Sequence, residues 1–124
     1  MAMIFALSSI AHPPDLPAAV SDKSAHALLY FGLGALLVRA RAGGWRRPVT
    51  LAVAVVAVVW ATVYGASDEM HQHFVPPRQT ELTDLLADAV GAAGAAATLY
   101  AWSRIAQTGR TRAGGAEAER RRGV

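Results

Sequence analysis

From Val49 to Ala66 the chain carries no charged side chain, and this apolar run leads straight into Tyr64-Gly-Ala-Ser-Asp68-Glu69-Met-His71-Gln72-His73-Phe-Val-Pro-Pro-Arg78. That juxtaposition limits the folds available. A hydrocarbon core of about 30 Å is crossed by roughly 20 helical residues at 1.5 Å each, so the run is long enough to span a bilayer. Its valines would suit a strand, but its length favours a helix. A hydrophobic helix that delivers acids, histidines and an arginine at one end either presents a site at a membrane surface or encloses a costly polar network.

The rest of the chain repeats the pattern. Its 124 residues suffice for one domain; they are 53% hydrophobic but only 7% aromatic, and the charges fall between long apolar blocks or in the tail. Met1 to Ala11 is apolar, lacks a basic leader, and runs into His12-Pro-Pro-Asp-Leu-Pro17, which stops a helix. At about 16 Å it reaches halfway across a bilayer, so it reads as a short or partial N-terminal helix rather than a cleaved signal peptide. Ser21 or Asp22 can cap a second helix that runs to Arg39, followed by the basic turn Arg39-Ala-Arg41-Ala-Gly-Gly-Trp45-Arg46-Arg47-Pro48. The apolar run then forms a helix from Val49 to about Gly65. Ser67 caps a short turn over Asp68 to His73, which Pro76-Pro77 ends. A last helix starts near Thr80 or Thr83 and reaches Trp102, with Tyr100 and Trp102 placed for an interfacial belt. The expectation is an all-α, multipass transmembrane helical bundle with three full spans plus the partial N-terminal helix. Residues 1–106 make the membrane domain, and 107–124, rich in Gly, Ala, Arg and Glu, read as a disordered basic cytoplasmic tail.

Short arginine-rich loops stay cytoplasmic, so the four-arginine turn and the C-terminal tail both belong inside the plasma membrane. The polar motifs at the starts of the second and last helices and after the apolar run then lie on the extracytoplasmic side. Much of the net charge of +3 comes from arginines at these places, and Arg110, Arg112 and Arg120 to Arg122 suit an anionic lipid surface. No recognition motif accompanies them, which argues against nucleic acid. The absence of cysteine excludes disulfides and thiolate chemistry.

Helical spacing aligns Asp22, His26 and Tyr30 on one helix, Trp60, Tyr64, Asp68 and Gln72 on the next, and Asp84, Asp88 and Gly91 on the last. His26, Asp68, Glu69 and His71 are the candidates for proton transfer, because crowding and partial burial can bring a carboxyl or imidazole toward neutrality. Equally open is a structural role, with His26 hydrogen-bonded between helices and the acids capping or ion-paired. Arg78 with Lys23 could clamp a phosphate or carboxylate, or Arg78 could pair with Asp84 or Asp88. His71-x-His73 with Glu69 and Asp22 lacks the spacing of a zinc signature, so no metal site is assigned and no cofactor is identified. Ala87-x-x-x-Gly91-x-x-x-Ala95 is a small-residue stripe for close helix contact, which Gly32 and Gly34 could face.

Three ordered blocks, Asp22-Lys23-x-x-His26-x-x-x-Tyr30 with Leu33-Gly34, then Tyr64-x-x-x-Asp68-Glu69-x-His71-Gln72-x-Phe-Val-Pro-x-Arg78, then Asp84-x-x-x-Asp88-x-x-Gly91, together resemble the VanZ-like family of small bacterial membrane proteins. The resemblance runs from about Ser21 to Gly94. It makes Asp22, Lys23, His26, Tyr30, Tyr64, Glu69, Gln72, Arg78, Asp84 and Asp88 the candidate ligand-binding residues. Two positions depart from the family pattern: Pro77 stands where Gly is usual, and Asp88 where Asn is usual. The second adds an acid that needs Arg78, Lys23 or a proton as partner. What the resemblance implies is a role in the cell envelope, since the family is named for a protein linked to resistance to the glycopeptide teicoplanin. The implied partners are the lipid bilayer and a lipid-linked cell-wall precursor or glycopeptide. Two further readings are an intramembrane enzyme acting on a phosphate-bearing or lipid-linked wall precursor, and a structural partner of another envelope protein.

Overall fold

A computed structural model describes residues 22–74 and 82–123, which form three helices: α1 (Asp22–Ala42), α2 (Leu51–Gln72) and α3 (Leu82–Arg122). No strand occurs among the described residues, in line with the all-α expectation. The expected N-terminal helix, Ser21 and the Pro76-Pro77 stop lie outside them.

The turn after α1 is built by its glycines. Gly43 and Gly44 adopt φ of 81° and 121°, a region costly for residues with a Cβ, and their N–H groups donate to Ala40 O at 3.2 Å and Arg39 O at 2.9 Å. Those bonds satisfy carbonyls that the helix end would otherwise leave open. Thr50 then caps α2, its hydroxyl accepting from Val53 N at 3.2 Å. Just before it, the buried Val49 donates its N–H to Ser103 Oγ at 2.8 Å, which ties the turn to α3.

Two helices run further than their sequence suggests. α2 does not end near Gly65 but continues to Gln72, and Ser67 donates its hydroxyl to Tyr64 O at 2.7 Å instead of capping a new turn. No proline interrupts the ladder there, and Glu69, Met70 and Gln72 are good helix formers. α3 likewise does not stop at Trp102. The segment expected to be disordered from residue 107 continues the helix to Arg122. Ala, Arg and Glu favour a helix, the hydroxyls of Thr108 and Thr111 bond back to Arg104 O and Gln107 O, and the described side chains are exposed, so local preference carries the helix through Gly109, Gly114 and Gly115.

Packing is small inside and large outside. Ala61 of α2 clusters with Ala92 of α3 and with Tyr30 and Leu33 of α1, and Ala54 and Ala57 of α2 cluster with Ala96 of α3 and Val38 of α1. Val55, Val59 and Val63 of α2, Leu82, Leu86 and Val90 of α3, and Leu28 and Leu36 of α1 all face outward. In water this arrangement would leave the largest apolar groups exposed; against lipid it costs nothing, and the alanines let the backbones approach. Two helices, over Leu51–His71 and Leu82–Arg122, are long and apolar enough to cross a membrane. α1 has 21 residues but is not one of these two, and it carries His26, Arg39 and Arg41 within its run.

The closest approach is between α1 and α3. A Cβ on Gly91 would overlap the Ala27 carbonyl, and one on Gly34 would stand 2.8 Å from Ala92 Cα. Gly32 meets nothing within 4 Å, so it does not share the facing role expected of it. Two residues from Gly34 is about 200° around a helix, which turns Gly32 to the outside.

Candidate functional site

α1 and α3 begin at the same end of the bundle and run parallel, so one turn of each can be matched rung by rung. Lys23 Nζ lies 3.7 Å from Asp84 Oδ1, and one turn further His26 Nδ1 meets Asp88 Oδ1 at 3.0 Å. Asp88 is 1% exposed, which makes its bond to the largely buried His26 the deeper of the two rungs. With the carboxylate as acceptor, Nδ1 carries the hydrogen. The bond fixes the ring's tautomer and leaves Nε2 as its basic nitrogen.

α2 runs the other way and brings its C-terminal turns to the same place. Asp68 and Glu69 are both buried there, and their burial follows from the continuation of α2 beyond Gly65. One ligand atom each from His26, Glu69 and Asp84 lie within 4.8 Å of one another. Imidazole and carboxylate donors converging from three helices could hold a divalent ion, Asp88 then acting as the outer partner that orients the imidazole. This grouping differs from the His71, His73, Glu69 and Asp22 set that the sequence brought to mind. It joins three chain segments, and no local spacing could have disclosed it.

Behind this cluster lies Tyr30, buried on α1, with its hydroxyl lacking a hydrogen-bond partner among the described residues. Its ring centroid is 6.5 Å from that of Tyr64, with the planes tilted by 37°. Gly65 makes the space for both Tyr30 and Asp88. A Cβ there would stand 2.8 Å from Asp88 Oδ2 and 3.3 Å from Tyr30 Cε1.

Of the candidates read from sequence, Lys23, His26, Tyr30, Tyr64, Asp68, Glu69, Asp84 and Asp88 come together at this end. Asp22 begins α1 and Gln72 ends α2. His71 is half-buried in the last turn of α2, while His73 is exposed with its ring edge-on to Phe74, centroids 5.5 Å apart. Trp60 does not share the stripe expected of it, being 55% exposed. Residues four apart drift by about 40° per step, so across the two steps from Trp60 to Asp68 the alignment slips by about 80°. Arg78 lies outside the described residues. Among the described residues, Asp84 and Asp88 pair with Lys23 and His26. The added acid at position 88 is therefore met by a histidine.

The protein-family model described as VanZ/LLP1 matches residues 3–104, a span that takes in α1, α2 and most of the apolar length of α3. No curated protein matches the chain. Nor does any solved structure.

Proposed function

We propose that this chain, which belongs to the VanZ/LLP1 family, is a multipass plasma-membrane protein of the bacterial envelope that engages a lipid-linked wall precursor, or the glycopeptide that binds one, through its three-helix polar site. In this reading it contributes to glycopeptide resistance. The observation that carries it is the convergence of His26, Glu69 and Asp84 from three helices, with Asp88 behind the imidazole. Burying that many ionisable groups among apolar helices costs several kcal/mol, an expense that a binding or proton-transferring site accounts for. All three helices span, the arginine-rich turn faces the cytoplasm, and the polar end opens toward the outer leaflet.

The same cluster favours a second reading, an intramembrane enzyme acting on a phosphate-bearing or lipid-linked precursor. Lys23 is already engaged by Asp84, so the described residues fit an anion clamp less well than a carboxylate and imidazole site. A divalent ion on His26, Glu69 and Asp84 would supply the positive charge that phosphate needs. Without the ion, His26 or Glu69 would move the proton; with it, His26 would be a ligand and the proton would pass through Glu69.

His26→Ala and Glu69→Ala, compared at equal membrane abundance in a glycopeptide-sensitive host, are expected to reduce protection against a teicoplanin-type drug to the level of cells lacking the protein. Full protection by both variants would remove the site from the function. Turnover of lipid phosphates by the purified protein, dependent on Mg²⁺ or Mn²⁺ and abolished by the same substitutions, would select the enzyme. Variants that fail to accumulate would favour a structural partner whose polar groups only lock the helices.

A further inference from the structure

The opposite end of the bundle holds a second site of different chemistry. A cavity of about 290 Å³ lies between the turn after α1 and the stretch of α3 around Ser103, lined by Arg39, Arg46, Arg47 and Arg110 and flanked by Trp45 and Trp102. No acidic side chain among the described residues lines it. None of the four arginines forms an ion pair among the described residues.

Arg39 is the built element. It is 7% exposed, and its Nη1 donates to Trp45 O at 3.2 Å and Arg47 O at 3.4 Å, while its Cζ stands 5.5 Å from the centre of the Trp45 ring. Its Nε is buried without a hydrogen-bond partner among the described residues. A buried guanidinium with an unmet donor, in a cavity with no acid, is incomplete until an anion arrives. The far wall is fixed as well, because Ser103 Oγ accepts from Val49 N and from Gln107 Nε2.

We infer that this cavity binds the phosphate of an anionic phospholipid headgroup. A phosphate can accept from several guanidinium groups at once, and a cavity of this size sits at the small end of ligand pockets, which suits a headgroup. The exposed Trp45 and Trp102 sit as indoles do at the membrane interface, beside acyl chains. Arginine distribution assigns this end to the cytoplasmic leaflet, where anionic lipids concentrate. The inference stands apart from the His26 site and survives if that site proves structural.

The test uses the full chain in neutral detergent, its thermal midpoint followed with phosphatidylglycerol, with phosphatidylcholine and with inorganic phosphate. Phosphatidylglycerol is expected to raise the midpoint and phosphatidylcholine to leave it unmoved. Because Arg39 also ties down its turn, the diagnostic variant is R46Q/R110Q, with R120Q/R122Q as a control that removes the same charge outside the cavity. R46Q/R110Q should need roughly tenfold more phosphatidylglycerol for the same rise, at an unchanged lipid-free midpoint, while the control responds as the parent does. A rise with inorganic phosphate alone supports the anion site and makes free phosphate its ligand. Equal responses to the two lipids, or equal losses in the two double variants, would overturn the inference.

Discussion

Asp88 is the residue on which the geometry of the polar site turns, since its carboxylate accepts from the imidazole of His26 at 3.0 Å. Asp88→Asn keeps an oxygen that can accept from Nδ1, and it restores the residue usual at this position in the family pattern. Its stability should stay within about 1 kcal/mol of the parent, whereas Asp88→Ala leaves the ring nitrogen without its acceptor and should cost about 1–3 kcal/mol. Unfolding in mixed micelles with increasing denaturing detergent would measure both. A loss as large for Asn as for Ala would mean that charge, and not the hydrogen bond, holds the pair. The members of this site were legible in the sequence because costly polar groups within apolar helices stand out singly. Their partners were not. Pairing Lys23 with Asp84 and His26 with Asp88 depends on the register of α1 against α3, which is set by contacts outside either motif.

That register belongs to the helices, and Gly91 controls it. Gly91→Ala places a methyl group into the Ala27 carbonyl, so α1 and α3 must part, at about 1–3 kcal/mol. Gly32→Ala meets open space and gains helix propensity, so it should be neutral or stabilising by about 0.5–1 kcal/mol. Opposite signs in one unfolding series would confirm that the interface, and not helix propensity, decides the outcome. Three apolar blocks announced the three helices. Their ends were harder to read, because Gly65 marks a packing space and not a stop, and because the tail mixes glycines that suggest disorder with Ala, Arg and Glu that favour a helix.

At the scale of the molecule, alanine inside and branched aliphatics outside describe a protein whose surrounding medium is lipid. The orientation proposed from arginine placement has its own test. The chain has no cysteine, so Gln79→Cys and Thr108→Cys can each be labelled without background. A membrane-impermeant maleimide should reach Gln79→Cys in intact cells and Thr108→Cys only after permeabilisation. Labelling of both from one side would reverse or abolish the arrangement. Membrane residence was legible from hydropathy alone, while the number of crossings hinges on α1, whose polar and basic residues dilute an otherwise apolar run.

The 41 residues of α3 make one unbroken rod of about 60 Å, twice the thickness of a hydrocarbon core. If Trp102 marks the interface and the rod stands upright, the last twenty or so residues carry Arg120, Arg121 and Arg122 roughly 30 Å along the helix axis beyond the membrane. Electrostatic attraction to a lipid surface is largely screened beyond about 8 Å in physiological salt. On an upright rod the terminal arginines would therefore stand clear of the surface in which the rest of the helix is held.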